Sequence, residues 1–127
     1  MEGTPFGRYR LIELLGRGGM GAVWRAHDTR TDRIVAIKVL PAHFSDDPKF
    51  QQRFRREAHA AARVDSPRVI PIHDYGEIDG RLYVDMRLIR GQDLQTVLAG
   101  GPIEPARAVR IIEQVAKALR PAWRAQR

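Results

Sequence analysis

Residues 16–23 read GRGGMGAV, and this glycine cluster decides how the surrounding chain folds. An apolar stretch at residues 9–15 precedes it, and an alternating stretch at residues 22–28 follows it. Both have the pattern of β-strands, so the cluster is predicted to join them as a hairpin. A strand after the glycines excludes the dinucleotide-binding fingerprint, and no Gly-Lys-Ser/Thr follows to make a P-loop. What remains is a glycine flap whose backbone N–H groups can approach phosphates; an ordinary tight hairpin is the alternative.

The next predicted strand, at residues 33–39, contains Val35-Ala36-Ile37-Lys38. Its β-branched residues favour a strand, and Lys38 comes near the end of this apolar run. Burying an unpaired ammonium group is costly, so Lys38 is predicted to have a partner. The alternative is that Lys38 points outward on the alternating face of the sheet.

A helix is predicted at residues 49–64, because Phe50, Phe54, Ala58 and Ala61 recur at helical spacing. Glu57 lies beside this apolar line and is predicted to face the sheet or its edge. The alternative is a weak surface pair with Arg53, four residues earlier on the same helix.

The rest of the chain continues this mixed pattern. Residues 69–75 and 81–88 are predicted as two more strands, and residues 93–99 as a short helix. A last helix begins at Pro105 and is predicted to end at Pro121, because proline disrupts helix interiors. The predicted fold is therefore α+β: a five-stranded antiparallel sheet with one long helix, followed by two helices.

Composition narrows the function classes. The chain of 127 residues has no cysteine, which excludes disulfide scaffolds, zinc ribbons and thiol catalysis. Lys and Arg number 22 against 15 Asp and Glu, a net charge of +7, but the charges are spread along the chain and predict no nucleic-acid surface. No apolar run approaches the ~20 residues that span a bilayer, so no membrane segment is predicted and a cytoplasmic location is expected.

The chain contains, in this order, GRGGMGAV at residues 16–23, VAIKVL at 35–40 and FRREAHAAARV at 54–64. Together these three stretches resemble the N-terminal lobe of bacterial, eukaryotic-like (Hanks-type) serine/threonine protein kinases. The resemblance runs from about Phe6 to Leu119. It implies a kinase N-lobe over residues 6–90, the start of a truncated C-lobe over residues 91–120, and a tail at residues 121–127 that does not match.

The resemblance also implies roles for individual residues. Lys38 is expected to contact the α- and β-phosphates of ATP and to be held by Glu57, as the catalytic ion pair. Met86 corresponds to the gatekeeper, and Asp93 to the ribose contact. The full set of residues implied to bind ATP is Leu15, Gly16, Arg17, Gly18, Gly19, Met20, Gly21, Ala22, Val23, Ala36, Lys38, Met86, Arg87, Ile89 and Asp93.

Two motifs of the family do not occur in this sequence. H-R-D-x-x-x-x-N and D-F-G supply the catalytic aspartate and the ligands of Mg²⁺, so Mg²⁺ is expected for the family but no metal site is predicted here. The chain is expected to be a truncated kinase that binds ATP and does not transfer phosphate alone. The alternative is a non-catalytic interaction module that pairs with another kinase lobe.

Overall fold

The computed structural model describes residues 3–125, which form a six-stranded antiparallel sheet with strand order β1-β2-β3-β4-β6-β5 and four helices. The strands are β1 (Thr4–Phe6), β2 (Tyr9–Gly18), β3 (Gly21–Asp28), β4 (Arg33–Val39), β5 (Ile72–Ile78) and β6 (Arg81–Met86). The helices are α1 (Ala42–Ser45), α2 (Pro48–Ala62), α3 (Leu94–Ala99) and α4 (Pro105–Ala125). Within residues 3–125, no helix combines the length and the apolar character needed to cross a membrane.

The main cluster of the hydrophobic core lies on one face of the sheet, because residues alternate between the two faces along each strand. Ala36 and Leu82 are buried on the opposite face. Ala26 of β3 pairs with Val35 of β4, and both are fully buried on the core face. The ring of Tyr83 packs edge-on against Phe6 and Tyr9, with centroids 5.9 Å and 5.6 Å apart. The buried core consists of Phe6, Tyr9, Ala26, Val35, Ile37, Val39 and Tyr83.

Two carboxylates, Asp28 and Asp85, are also completely buried. The guanidinium group of Arg8 lies 3.1 Å from Asp28 and 3.6 Å from Asp85, and it also contacts Asp74 at 3.2 Å. The Tyr9 hydroxyl donates to Asp85 Oδ2 at 2.7 Å, and burial together with this hydrogen bond raises the pKa of Tyr9. Because buried charges are costly without partners, this network ties the start of the chain to β5 and β6.

Helix α2 confirms the helix that the apolar spacing predicts. It begins where the Asp47 carboxylate accepts hydrogen bonds from the backbone N–H groups of Lys49 and Phe50, with Pro48 in the first turn. The Phe50 ring stacks on Phe44 of α1, with centroids 4.4 Å apart. One aromatic residue of the predicted apolar line therefore joins the helix to α1.

The sheet has six strands rather than the five that the sequence predicts. β1 is an edge strand of three residues, too short to show alternation, and the four-residue helix α1 was also not predicted. β5 occupies Ile72–Ile78 rather than residues 69–75. It runs further because its turn to β6 needs only Asp79 and Gly80, whose φ angles are 51° and 75°. Two consecutive positive φ values are typical of a two-residue hairpin turn.

The predicted end of the last helix at Pro121 is wrong, because α4 continues to Ala125. The fixed φ of proline is itself helical; the conflict is with the carbonyl of the preceding turn and costs about 3 kcal/mol. Pro121 is half-buried and lines a groove with Arg63 and Val64, which follow the end of α2.

Candidate functional site

The face of the sheet opposite the core gathers four of the predicted site residues. Strand register places Val23 opposite Lys38, and Ala36 opposite Met86. Cross-strand partners point to the same face, and so do alternate residues of β4. Val84 pairs with Lys38 and completes this face. Sequence reasoning missed Val84, although its spacing of two residues from Met86 was the signal.

The glycine cluster extends strands β2 and β3 rather than forming a wide loop. Pairing continues as far as Gly18 opposite Gly21, which leaves Gly19 and Met20 as the turn. A register shift before Gly16 marks a bulge in β2, where the side chain of Leu15 is exposed. The hairpin therefore projects as a two-stranded flap at one end of the candidate face.

The glycines of this flap differ in what surrounds them. Gly21 has φ of 111°, and a Cβ built there would lie 2.1 Å from the carbonyl oxygen of Val39, so the fold requires glycine. A Cβ built at Gly16, Gly18 or Gly19 would meet no atom within 4 Å. Those three glycines are not required by packing within the described residues. They leave bare backbone open to a molecule that approaches the flap.

Glu57 does not reach Lys38 in this structure. Lys38 is half-buried and Glu57 is exposed on α2. Among residues 3–125, Glu57 forms an ion pair with neither Lys38 nor Arg53. On α2, Arg55 instead lies 4.0 Å from Glu77 of β5. At 100° per residue, Glu57 lies about 160° around the helix from Arg55. The buried residues of α2 are Ala58 and Ala60, the Glu57 side chain is exposed, and the predicted pair of Lys38 with Glu57 is not formed.

The segment after β6 carries the remaining predicted contacts. The backbone N–H of Arg87 donates to the carbonyl of Pro71 at 3.0 Å, which leaves the Arg87 carbonyl as the free group. Ile89 is exposed. Asp93 caps α3, as the predicted short helix requires, and accepts from the Thr96 N–H at 2.7 Å. Hydrogen bonding to Thr96 lowers the pKa of Asp93.

Two predicted residues present their side chains to the other face. Arg17 pairs with Ala22, and Ala22 pairs with Val39 of the buried core. Their side chains therefore belong to the core side of the sheet, and only their backbone can contribute to the candidate face.

The candidate face thus combines the Lys38 ammonium group, apolar side chains, an ion pair of Arg25 with Glu13 at 3.9 Å and an exposed flap of backbone N–H groups. Such a surface can bind an anion that carries a flat apolar group. Among the residues that the structure describes, no cluster of three or more His, Asp or Glu residues could hold a metal ion.

Comparisons with known proteins bear on this arrangement. The family described as "Protein kinase domain" matches residues 9–125. Serine/threonine-protein kinase PknE of Mycobacterium bovis is 56% identical over 119 residues, which are 93% of this chain and 21% of PknE. PknH of Mycobacterium tuberculosis is 52% identical over 118 residues, 92% of this chain and 19% of PknH. This chain therefore spans about a fifth of the length of these relatives.

A solved structure supports the same assignment. The crystal structure of the PknI kinase domain of Mycobacterium tuberculosis superposes with a TM-score of 0.85 at 32% sequence identity, covering 94% of this chain and 49% of that one. The sequence match and the structural match extend over nearly the whole chain. The chain belongs to the protein kinase family.

Proposed function

We propose that this chain is the ATP-binding segment of a serine/threonine protein kinase. The observation that carries the proposal is the placement of Lys38 among Val23, Ala36 and Met86, on a face that ends in the glycine flap. An ammonium group suits phosphate, and the apolar side chains suit an adenine ring. The three glycines that packing does not require suit close approach of phosphates to backbone N–H groups.

In the proposed complex, the flap covers the phosphates and Lys38 contacts the α- and β-phosphates. Leu15, Val23 and Ala36 enclose the adenine. Its edge meets the backbone carbonyl of Arg87 and the N–H of Ile89. The Arg87 carbonyl is available for this contact, because the hydrogen bond to Pro71 is donated by the Arg87 N–H.

The ribose contact is proposed for Asp93, whose Oδ1 is already held by Thr96. Pairing of Lys38 with Glu57 requires α2 to turn about its axis. This turn would break the partly exposed ion pair of Arg55 with Glu77, which contributes at most about 1 kcal/mol. It would also move the buried Ala58 and Ala60, so nucleotide binding has to offset the loss of apolar packing as well.

We propose that these 127 residues do not transfer phosphate by themselves. The sequence contains neither H-R-D-x-x-x-x-N nor D-F-G, which supply the family's catalytic aspartate and metal ligands. The described residues do not fit Mg²⁺ either, since none of them form a metal-binding cluster. The chain's own contribution is to bind and orient the nucleotide.

A fluorescent ATP analogue titrated into the purified chain tests the proposal. The expected dissociation constant is about 100 µM, because a one-sided site buries less of its ligand than the 70–90% typical of good pockets. Lys38→Met should abolish binding, and the matched control Lys49→Met, on the exposed first turn of α2, should leave it unchanged. Binding that survives Lys38→Met, or that both variants lose equally, would contradict the proposal.

A second candidate is an interaction module that pairs with another kinase lobe. It is favoured by an exposed apolar stripe on α4, formed by Val109, Ile112, Val115 and Leu119, each more than half exposed. Sedimentation or light scattering of the chain, alone and mixed with a complete kinase domain, distinguishes this candidate. A 1:1 complex without nucleotide binding would favour it over the first.

A further inference from the structure

A cavity of about 500 Å³ lies beside the glycine flap, on the side of the sheet that carries the core. Its apolar walls come from β1, β2, β3, β4 and the segment before α1, and include Phe6, Leu11, Trp24, Val39 and Pro41. Trp24 pairs with Ile37 of the core, whereas Lys38 faces the other way. The cavity is therefore separated from the candidate nucleotide face by the thickness of the sheet.

The charged residues that line this cavity are both basic. Arg17 from the flap and Arg81 from the start of β6 are exposed at its edge, and no acidic residue among those described lines it. The ion pairs of residues 3–125 include neither guanidinium group. Two unpaired guanidinium groups beside an apolar hollow make a site for a negative charge attached to an apolar body.

We infer that this cavity binds a small amphipathic monoanion, an aliphatic or aromatic carboxylate. The volume lies in the range of small-molecule sites, about 300–1,000 Å³. The apolar walls bury the body of such a ligand, and Arg17 and Arg81 bind its carboxylate through bidentate hydrogen bonds. A nucleotide suits this cavity poorly, because its polar sugar would lie against apolar walls without hydrogen-bond partners.

Trp24 provides a direct readout, since the only other tryptophan is Trp123 on α4. In the Trp123→Phe variant, decanoate below its micelle concentration should change Trp24 fluorescence in a saturable way. Decanol and decyltrimethylammonium, of matched chain length, should bind about tenfold more weakly or not at all, because they lack the charge that the arginines recognise. In the Trp24→Phe variant, decanoate should leave the Trp123 signal unchanged.

Charge variants test the assignment of the carboxylate contacts. The double variant Arg17→Gln, Arg81→Gln should weaken decanoate binding about tenfold or more, and both positions are exposed, so the fold should persist in circular dichroism. Arg30→Gln, in the exposed turn between β3 and β4, is the matched control and should have no effect. Equal binding of decanoate and decanol, unchanged binding by the double variant, no saturable Trp24 response, or a response confined to Trp123 would each overturn the inference.

Discussion

Replacing single glycines in the flap should separate a requirement of the fold from a requirement of ligand binding. Gly21→Ala adds a methyl group at a φ of 111°, with its Cβ 2.1 Å from the Val39 carbonyl oxygen and 3.0 Å from Leu40 Cα. Both neighbours are backbone atoms of β4 and the residue after it, so no side chain can rotate out of the way. Gly18→Ala adds the same methyl group where no atom lies within 4 Å.

The cost at Gly21 has two parts. Holding a non-glycine residue in a sparsely populated backbone region costs about 1–3 kcal/mol. Moving the backbone of β4 to relieve the overlap costs a further amount of about 1–3 kcal/mol, as overpacking does elsewhere. At about 4 °C per kcal/mol for a chain of this length, a total near 3 kcal/mol lowers Tm by about 12 °C.

Thermal unfolding followed by circular dichroism measures this difference directly. Gly21→Ala should unfold about 12 °C below the parent chain, and Gly18→Ala within about 2 °C of it. Titration with the ATP analogue at a temperature where both are folded should then show weaker binding by Gly18→Ala, because its methyl group projects from the exposed flap. Equal Tm values for the two variants would refute the steric reasoning, and unchanged binding by Gly18→Ala would refute the role given to the open glycines.

Four further measurements test other parts of the structure. Tyr9→Phe removes the donor to buried Asp85 and should lower the free energy of unfolding in urea by about 1–3 kcal/mol; no loss would show that the bond is not needed. Burial would raise the pKa of Asp28, but hydrogen bonds from Thr31, Arg30 and Arg8 outweigh it and lower that pKa. The ionised Asp28 carboxylate therefore stabilises the fold above its ordinary pKa near 3.9, and this stability is lost as the pH falls through the lowered pKa of the folded state. Asp28→Asn should have a lower free energy of unfolding at pH 7, and that free energy should change less with pH in the acid range. Deleting residues 102–127 should improve solubility and retain the sheet signal, and unfolding on deletion would place α4 in the core. Purified chain should incorporate no radiolabel from ATP; incorporation that is lost in Lys38→Met would contradict the proposed lack of transfer.

The central strands could be predicted because their signals are local. Alternation and β-branched residues over β3 and β4 define both strands, whereas the site roles of Val23, Ala36 and Lys38 came from the resemblance to the kinase family. β1 escaped prediction because three residues carry no period, and the turn predicted over residues 76–80 is shorter than expected, with only Asp79 and Gly80 between the strands. The end of the last helix was predicted at Pro121 from the average effect of proline, whereas α4 continues through it to Ala125.

The sequence predicts less where the structure depends on the rotation of a helix about its axis or on contacts between residues far apart in the chain. Glu57 is on the predicted helix, but its direction is fixed by contacts with β5, such as that of His59 with Tyr75 at 3.1 Å. The contact of Tyr9 with Asp85 joins residues 76 positions apart, and no pattern in either neighbourhood specifies the other. The sheet face on which a residue lies follows from the periodicity of the sequence, whereas contacts between side chains distant in sequence follow only from the tertiary structure.

The strand order carries a consequence for how the chain reaches this structure. β2, β3 and β4 are neighbours both in sequence and in the sheet, so their contacts close short loops and form at small entropic cost. β4 then pairs with β6, and the backbone N–H of Leu40 donates to the carbonyl of Leu82. All of α1, α2 and β5 lie between these two residues in the sequence. We expect the three-strand meander to form early in folding and the contacts of Arg8 with Asp74 and Asp85 to form late. A chain emerging from the ribosome would have its glycine hairpin assembled before the residues that complete the sheet around it had been made.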